Sequence, residues 1–167
     1  MSSIMKKHPN IGHYLDFQAP DNHHYNGSDE LLTVNSPIGK KLGLQKMGVH
    51  IQVLKPGRRT SWPHAEKDEE EFVYVIEGKV DAWMDGELYP LEAGSLVAFP
   101  SGTGISHTII NNYKENALLL VGGESIKGCK VYYPFHEARN EECKKNDQFW
   151  DECPRKNLKP DNSIPKK

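Results

Sequence analysis

The sequence predicts an all-β fold: a single antiparallel barrel with polar extensions at both ends. Three observations carry that expectation. Short runs rich in Val, Ile, Leu, Phe and Tyr recur between turn residues from about Leu31 to Phe135. Helical periodicity is scarce before Glu137. No segment repeats, which favours one barrel over two. At 167 residues the chain is long enough to bury a proper core and short for two domains.

The first thirty residues (1–30) are polar and broken by Pro and Gly, and they read as an N-terminal arm. His23 and His24 lie there within NHHYNGSD, but adjacent histidines in a turn-like segment are more often solvated than metal-bound. The barrel domain is expected over 31–135. Its strands are read at 48–54 (GVHIQVL), 71–76 (EFVYVI), 79–84 (KVDAWM), 87–91, 95–99 (SLVAF), 105–111 (ISHTIIN) and 117–121 (ALLLV), with 131–135 as a last one. Asp85-Gly86 between two of these is a strong hairpin signal. The C-terminal extension, 136–167, holds at most one short helix in 137–150 and a loose or draped tail beyond Pro154.

A formal charge of −2 and a pI near 6.4 ask for no polyanionic partner. No basic stripe or reading motif points to nucleic acid. The longest apolar run falls far below a membrane span, and MSSIMKKHPN leads into no apolar leader core. The expectation is a cytoplasmic protein with no membrane partner. Cys129, Cys143 and Cys153 give an odd count without a CxxC pair, so reduced thiols are preferred over a Cys143–Cys153 bridge.

The chemistry concentrates in two stretches. In extended chain, side chains two apart share a face, so His64 and Glu66 point one way with Ala65 opposite. Glu71, Val73 and Val75 likewise share one face of the following strand. If that face is the interior, a carboxylate enters a valine lining and needs a cation, a donor or a proton. A third element brings His107, alternating with Ile109 and Asn111. Two imidazoles with one or two carboxylates form a mixed site suited to a divalent transition metal (Zn, Fe, Mn, Ni or Co) and poorly suited to calcium.

Each residue also has a blander reading. Glu71 sits in the acidic run DEEE, and an isolated His107 would more often be a hydrogen-bonded core histidine. Together with His64, ligation is preferred for both. Glu66 stays open: it either ligates or stands outside the site as a solvent-facing or supporting acid. Asn111 reads as a strand-end hydrogen-bonding residue. Trp62, Tyr74 and Trp83 are read as packing residues before pocket residues, and Arg58 and Arg59 as ordinary exposed arginines before a strand.

These stretches resemble the two motifs of the cupin superfamily, over about a third of the chain. The first family motif runs Gly, five residues, His-x-His, three or four residues, Glu, six residues, Gly. The second runs Gly, five residues, Pro-x-Gly, two residues, His, three residues, Asn. Glu71-x6-Gly78, Gly94-x5-Pro100-x-Gly102 and His107-x3-Asn111 match as they stand. His64 falls one residue late after Gly57, Glu66 replaces the second His, and four residues separate Gly102 from His107. The wording is especially similar to small bacterial single-domain cupins. The resemblance implies a double-stranded β-helix, a jelly-roll-like barrel, with one divalent metal on His64, Glu66, Glu71 and His107.

It further implies a small-molecule ligand in the barrel pocket. The leading expectation is a metal-dependent enzyme, of dioxygenase, isomerase or lyase type, acting on a small oxygenated metabolite. The alternatives are a non-catalytic ligand binder or sensor with a separate partner, and a metal-free structural barrel. Cupin barrels often pair, so a homodimer is expected alongside the rival reading that both extensions fold back on their own barrel.

Overall fold

The computed structural model describes residues 8–154, 158 and 161–165. Residues 1–7, part of the segment read as carrying no leader, lie outside that description, as does most of the tail beyond Pro154. After a 3-10 turn at Tyr14–Phe17 come β1 (Val34–Ser36), α1 (Ile38–Lys41), β2 (Met47–Leu54), β3 (Ala65–Glu66) and β4 (Glu71–Glu77). Then follow β5 (Lys79–Met84), β6 (Glu87–Glu92), β7 (Leu96–Phe99), β8 (His107–Ile110), β9 (Ala117–Glu124), β10 (Val131–Tyr132) and α2 (Glu137–Lys145). The chain is all-β, as its alternating runs predict.

Two antiparallel sheets make the barrel. One has the order β1-β2-β9-β4-β7, the other β6-β5-β8, and β10 pairs with β3 beside them. Alternation drives the closure, because each strand turns every second side chain inward. Leu54, Val73, Val75, Ala117 and Leu119 from the larger sheet meet Val80, Ala82 and Ile109 from the smaller in one buried cluster. Each fully buried Val, Leu or Ile there contributes about 1.5–3 kcal/mol. The β5–β6 hairpin turns on Asp85 (φ 47°) and Gly86 (φ 99°), the left-handed pair of a type I′ turn. Gly78 carries φ 86° directly after β4, and a Cβ there would stand 2.8 Å from the Asn116 carbonyl oxygen.

The C-terminal half departs from the sequence reading in its last strand. The one short helix, Glu137–Lys145, falls within the span read for it and stops there. Gln148 donates its amide to the Cys143 carbonyl at 2.8 Å, Asp147 adopts φ 54°, and the chain then runs extended beside Val131. The last strand is only Val131–Tyr132, and Pro134, which has no amide to donate, follows closely. The tail segment 161–165 drapes over β5: Asn162 accepts the Trp83 indole N–H and donates to the Gly86 carbonyl at 2.8 Å. Ser163 is buried and accepts a hydrogen bond from Arg59. No disulfide forms among the described cysteines. No helix among the described residues is long and apolar enough to cross a membrane.

The N-terminal arm is pinned by charge. Asp21 accepts from Lys55 at 2.7 Å and from Arg58, while Glu30 accepts from Arg59 at 2.7 Å and from the Trp62 indole at 2.9 Å. These pairs occupy both arginines with the protein's own carboxylates. His23 and His24 are exposed.

Candidate metal centre

His64 and His107 meet because their backbones pair. His64 N–H donates to the His107 carbonyl at 3.2 Å and His107 N–H to that of His64 at 2.9 Å, although His64 belongs to no named strand. Glu71 opens β4, opposite Phe99 on β7. The Phe99 ring stacks on the His107 imidazole at 3.7 Å and 6°, which fixes its plane. The three side chains converge at one end of a cavity of about 210 Å³. Glu71 Oε2 lies 3.1 Å from His107 Nε2 and 3.7 Å from His64 Nε2.

The orientation of each ring follows from its other nitrogen. His64 Nδ1 is 2.8 Å from the Trp62 carbonyl oxygen, and His107 Nδ1 is 3.4 Å from that of Ile105. A carbonyl only accepts, so each Nδ1 carries the proton and each Nε2 turns toward Glu71. Backbone carbonyls orient metal-binding histidines in the same way. Burial opposes charging His64, but the hydrogen bond and charge of Glu71 outweigh it and raise the imidazole to about 9. Burial would raise the Glu71 carboxyl; the two histidines instead hold it well below the usual carboxylate range. Burial, and the charge on His64, keep His107 below its ordinary value despite its contact with Glu71.

The donor set fits a divalent transition metal. Donors sharing one ion at about 2.1 Å stand roughly 3–3.5 Å apart, close to the spacings found here. His64, Glu71 and His107 offer atoms all within 4.8 Å of one another. Glu66 is the fourth residue read from the sequence, and its position is intermediate. Its Oε1 is 3.9 Å from His64 Nε2, while its Oε2 accepts the Cys129 thiol at 3.1 Å. It also groups with Glu69 and Cys129 in a second cluster of ligand-type side chains. Burial raises its carboxyl, and burial together with Glu66 pushes the Cys129 thiol up to about 12.

Other pocket residues escaped the sequence reading. Tyr25 from the arm, Gln52 from β2, Thr60 and Ser61 before His64, and Phe99 and Thr108 all line the cavity. Trp62 stands behind it, stacked between Tyr25 at 4.1 Å and His136 at 3.8 Å. Trp83 is buried on the far side of β5 and Tyr74 faces outward, so neither lines the cavity. Asn111 makes hydrogen bonds only within the protein, as its strand-end position predicts. The motif resemblance points to His64, Glu71 and His107, but nothing local in the sequence marks Gln52 or Tyr25.

A small jelly-roll barrel with histidines and a carboxylate converging at its mouth defines a class, and comparison with known proteins shows what this part of the chain is similar to. The cupin domain profile matches residues 50–122. The polyketide synthase CurC of Streptomyces cyaneus is 34% identical over 71 residues, 42% of this chain and 44% of that protein. A crystal structure from Acidithiobacillus ferrooxidans ATCC 23270, provisionally named a sugar phosphate isomerase, aligns with TM-score 0.59 and 35% identity. That alignment covers 61% of this chain and 65% of the other. A sugar phosphate isomerase of the cupin superfamily from Silicibacter pomeroyi DSS-3 aligns with TM-score 0.59 and 31% identity, over 60% and 64% of the two chains. The chain thus spans under half of the curated relative and just under two thirds of each of these structures. Residues 50–122 are the part of the chain similar to a cupin domain.

Proposed function

We propose that this protein is a metal-dependent cupin enzyme acting on a small oxygenated metabolite, with isomerisation its favoured reaction type. The observation that carries the reading is the convergence of His64, Glu71 and His107 on one point of the cavity, each imidazole turned so that Nε2 faces the carboxylate. The names of the two similar isomerase structures support the reaction type. A divalent metal held there supplies Lewis-acid polarisation of a substrate oxygen.

The chain's own residues do the rest. Trp62 and Ile105 carbonyls set the imidazole orientations, and Phe99 keeps the His107 ring from turning. Val73, Ile109 and Val121 give the cavity apolar walls that keep competing water from the reacting oxygen. Glu66 Oε1, beside His64, is placed either as a fourth donor or as a proton acceptor next to the substrate.

Elemental analysis of protein purified without a chelating tag, followed by competitive metal titration, tests the reading. The expected result is about one transition-metal ion per chain. Glu71→Gln should weaken retention by at least about 100-fold, since removing a direct ligand should exceed the loss from removing a supporting partner. Unchanged affinity in Glu66→Gln excludes that residue as a ligand. A wild-type protein that retains no metal at all overturns the proposal.

A further inference from the structure

Gln52 is the anomaly of the cavity. It projects from β2 in the inward row with His50 and Leu54, opposite Leu119 of β9, which in turn faces Val75 of β4. That places an amide at the cavity floor, between the apolar Leu119 of β9 and Asn35 of β1, whose Oδ1 is already engaged 3.1 Å from His50 Nδ1. Its Oε1 is buried and has no hydrogen-bond partner. The pocket hydroxyls, by contrast, are already engaged. Thr108 donates to the Ser61 carbonyl at 2.7 Å, Thr60 accepts from the Ile109 amide at 3.2 Å, and Ser61 lies 3.3 Å from His64 Nδ1. A buried polar atom left unmatched destabilises the folded protein, so its retention in a binding cavity calls for a partner that arrives with the ligand.

We propose that Gln52 recognises the far end of the ligand and selects a molecule with a neutral hydroxyl there, its other oxygen function lying at the His64–Glu71–His107 end. This deepens the proposed function and rests on it for the metal-facing end only. Two features give the ligand its chemistry. An amide that turns about its last torsion presents either a donor or an acceptor, and a hydroxyl, being both, satisfies either. None of the described residues lining the cavity is Lys or Arg, so the floor offers no cation to a phosphate or a second carboxylate. The Glu71 and Gln52 rows stand four residues apart along β4, roughly 13 Å at about 3.3 Å per residue. Both side chains reach inward across that span, which leaves room for a chain of roughly four to six carbons.

The test uses full-length wild-type, Gln52→Leu and Gln52→Asn proteins, each first titrated with Mn(II). Butanoate, pentanoate, hexanoate and their terminally hydroxylated counterparts are then titrated onto the Mn(II)-loaded proteins by calorimetry. At least one hydroxylated acid should bind wild type about tenfold more tightly than its parent. Gln52→Leu should erase or invert that preference while leaving Mn(II) affinity unchanged. Gln52→Asn, one methylene shorter, should keep the preference but move it to a longer acid. Without metal or ligand, Gln52→Leu should melt a few degrees higher, on the order of 3 °C, because the unmatched amide is gone. Equal binding of parent and hydroxylated acids to wild type, the same preference in Gln52→Leu, or binding of none of the acids overturns the proposal. So does an unchanged or lower melting temperature for Gln52→Leu. Failure of wild type to hold Mn(II) strikes the metal reading instead, and the melting comparison, which needs no metal, then decides the role of Gln52.

Discussion

Two carboxamides sit inside this barrel, and they are treated in opposite ways. Asn111, fully buried where β8 ends, donates to the Leu54 and Glu115 carbonyls at 2.8 Å each and accepts the Tyr113 amide at 2.9 Å. Gln52 keeps a buried oxygen with no partner. The same contrast runs the length of the interior. At the closed end, beyond the Gln52 row, Leu54, Val80 and Ala117 pack together, and the Asn111 amide there has its bonds made. At the mouth, on the same strands and in the same alternating phase, Glu71 replaces valine and His107 replaces isoleucine. The difference teaches how the two amides are used: Gln52 lines the cavity with its oxygen unmatched, whereas Asn111, away from the cavity, has its bonds made within the protein.

The comparison can be broken most severely by moving the carboxylate. Val75 occupies the inward face of β4 two alternations beyond Glu71, is fully buried, and packs in an apolar cluster that contains no imidazole. Val75→Glu should cost several kcal/mol, a large part of a total of about 5–15 kcal/mol. Its carboxyl would rise above the unfolded value, so the loss should be mildest below about pH 4 and grow as pH rises through the raised value. Thermal melts across that range check both claims; a melting temperature within a few degrees of wild type at pH 8 would refute the contrast between the ends.

A second substitution sharpens the pair of amides. Asn111→Leu strands two carbonyls and one N–H inside the barrel, so it should destabilise by about 3 kcal/mol. Urea denaturation should show a lower midpoint, opposite in sign to the stabilisation expected of Gln52→Leu. Equal effects of the two leucine substitutions would erase the distinction drawn between them.

The smallest expected effect lies outside the interior, at the arm. Hydrogen bonds from Arg58 and Lys55, helped by their charges, lower the Asp21 carboxyl to about 2. A depressed folded-state value stabilises above the unfolded value and loses that contribution as pH falls through the folded one. The arm's contribution should therefore be present above about pH 4 and vanish toward pH 2. Asp21→Asn should reduce stability modestly at pH 6 and converge with wild type by pH 2, as denaturant midpoints at several pH values would show. A constant gap across that range would mean the pair contributes no pH-dependent stability.

Much of the architecture is legible in local chemistry. Alternating β-rich runs place the strands, Asp85-Gly86 places the hairpin, and the interval from Glu71 to Gly78 places a carboxylate at the start of β4. The helix end is less legible, because Glu137 to Trp150 is charged throughout and its stop depends on Val131 capturing residues 148–150. Glu66 is ambiguous for a similar reason. Its partner Cys129 lies 63 residues away, and no spacing near Glu66 announces a thiol.

What the sequence determined by itself was periodicity, turn chemistry and the order of the ligand-type residues, because those depend on neighbours along the chain. What only the tertiary structure decided was which phase of each alternation turned inward. In β2, Val49, Ile51 and Val53 look like the core row, yet His50, Gln52 and Leu54 face the interior, because pairing with β9 sets them opposite Val121, Leu119 and Ala117. Val49 instead packs beneath Gly39 of α1. Alternation marks two faces of a strand, and the choice between them is made by the partners it pairs with and by what covers its back.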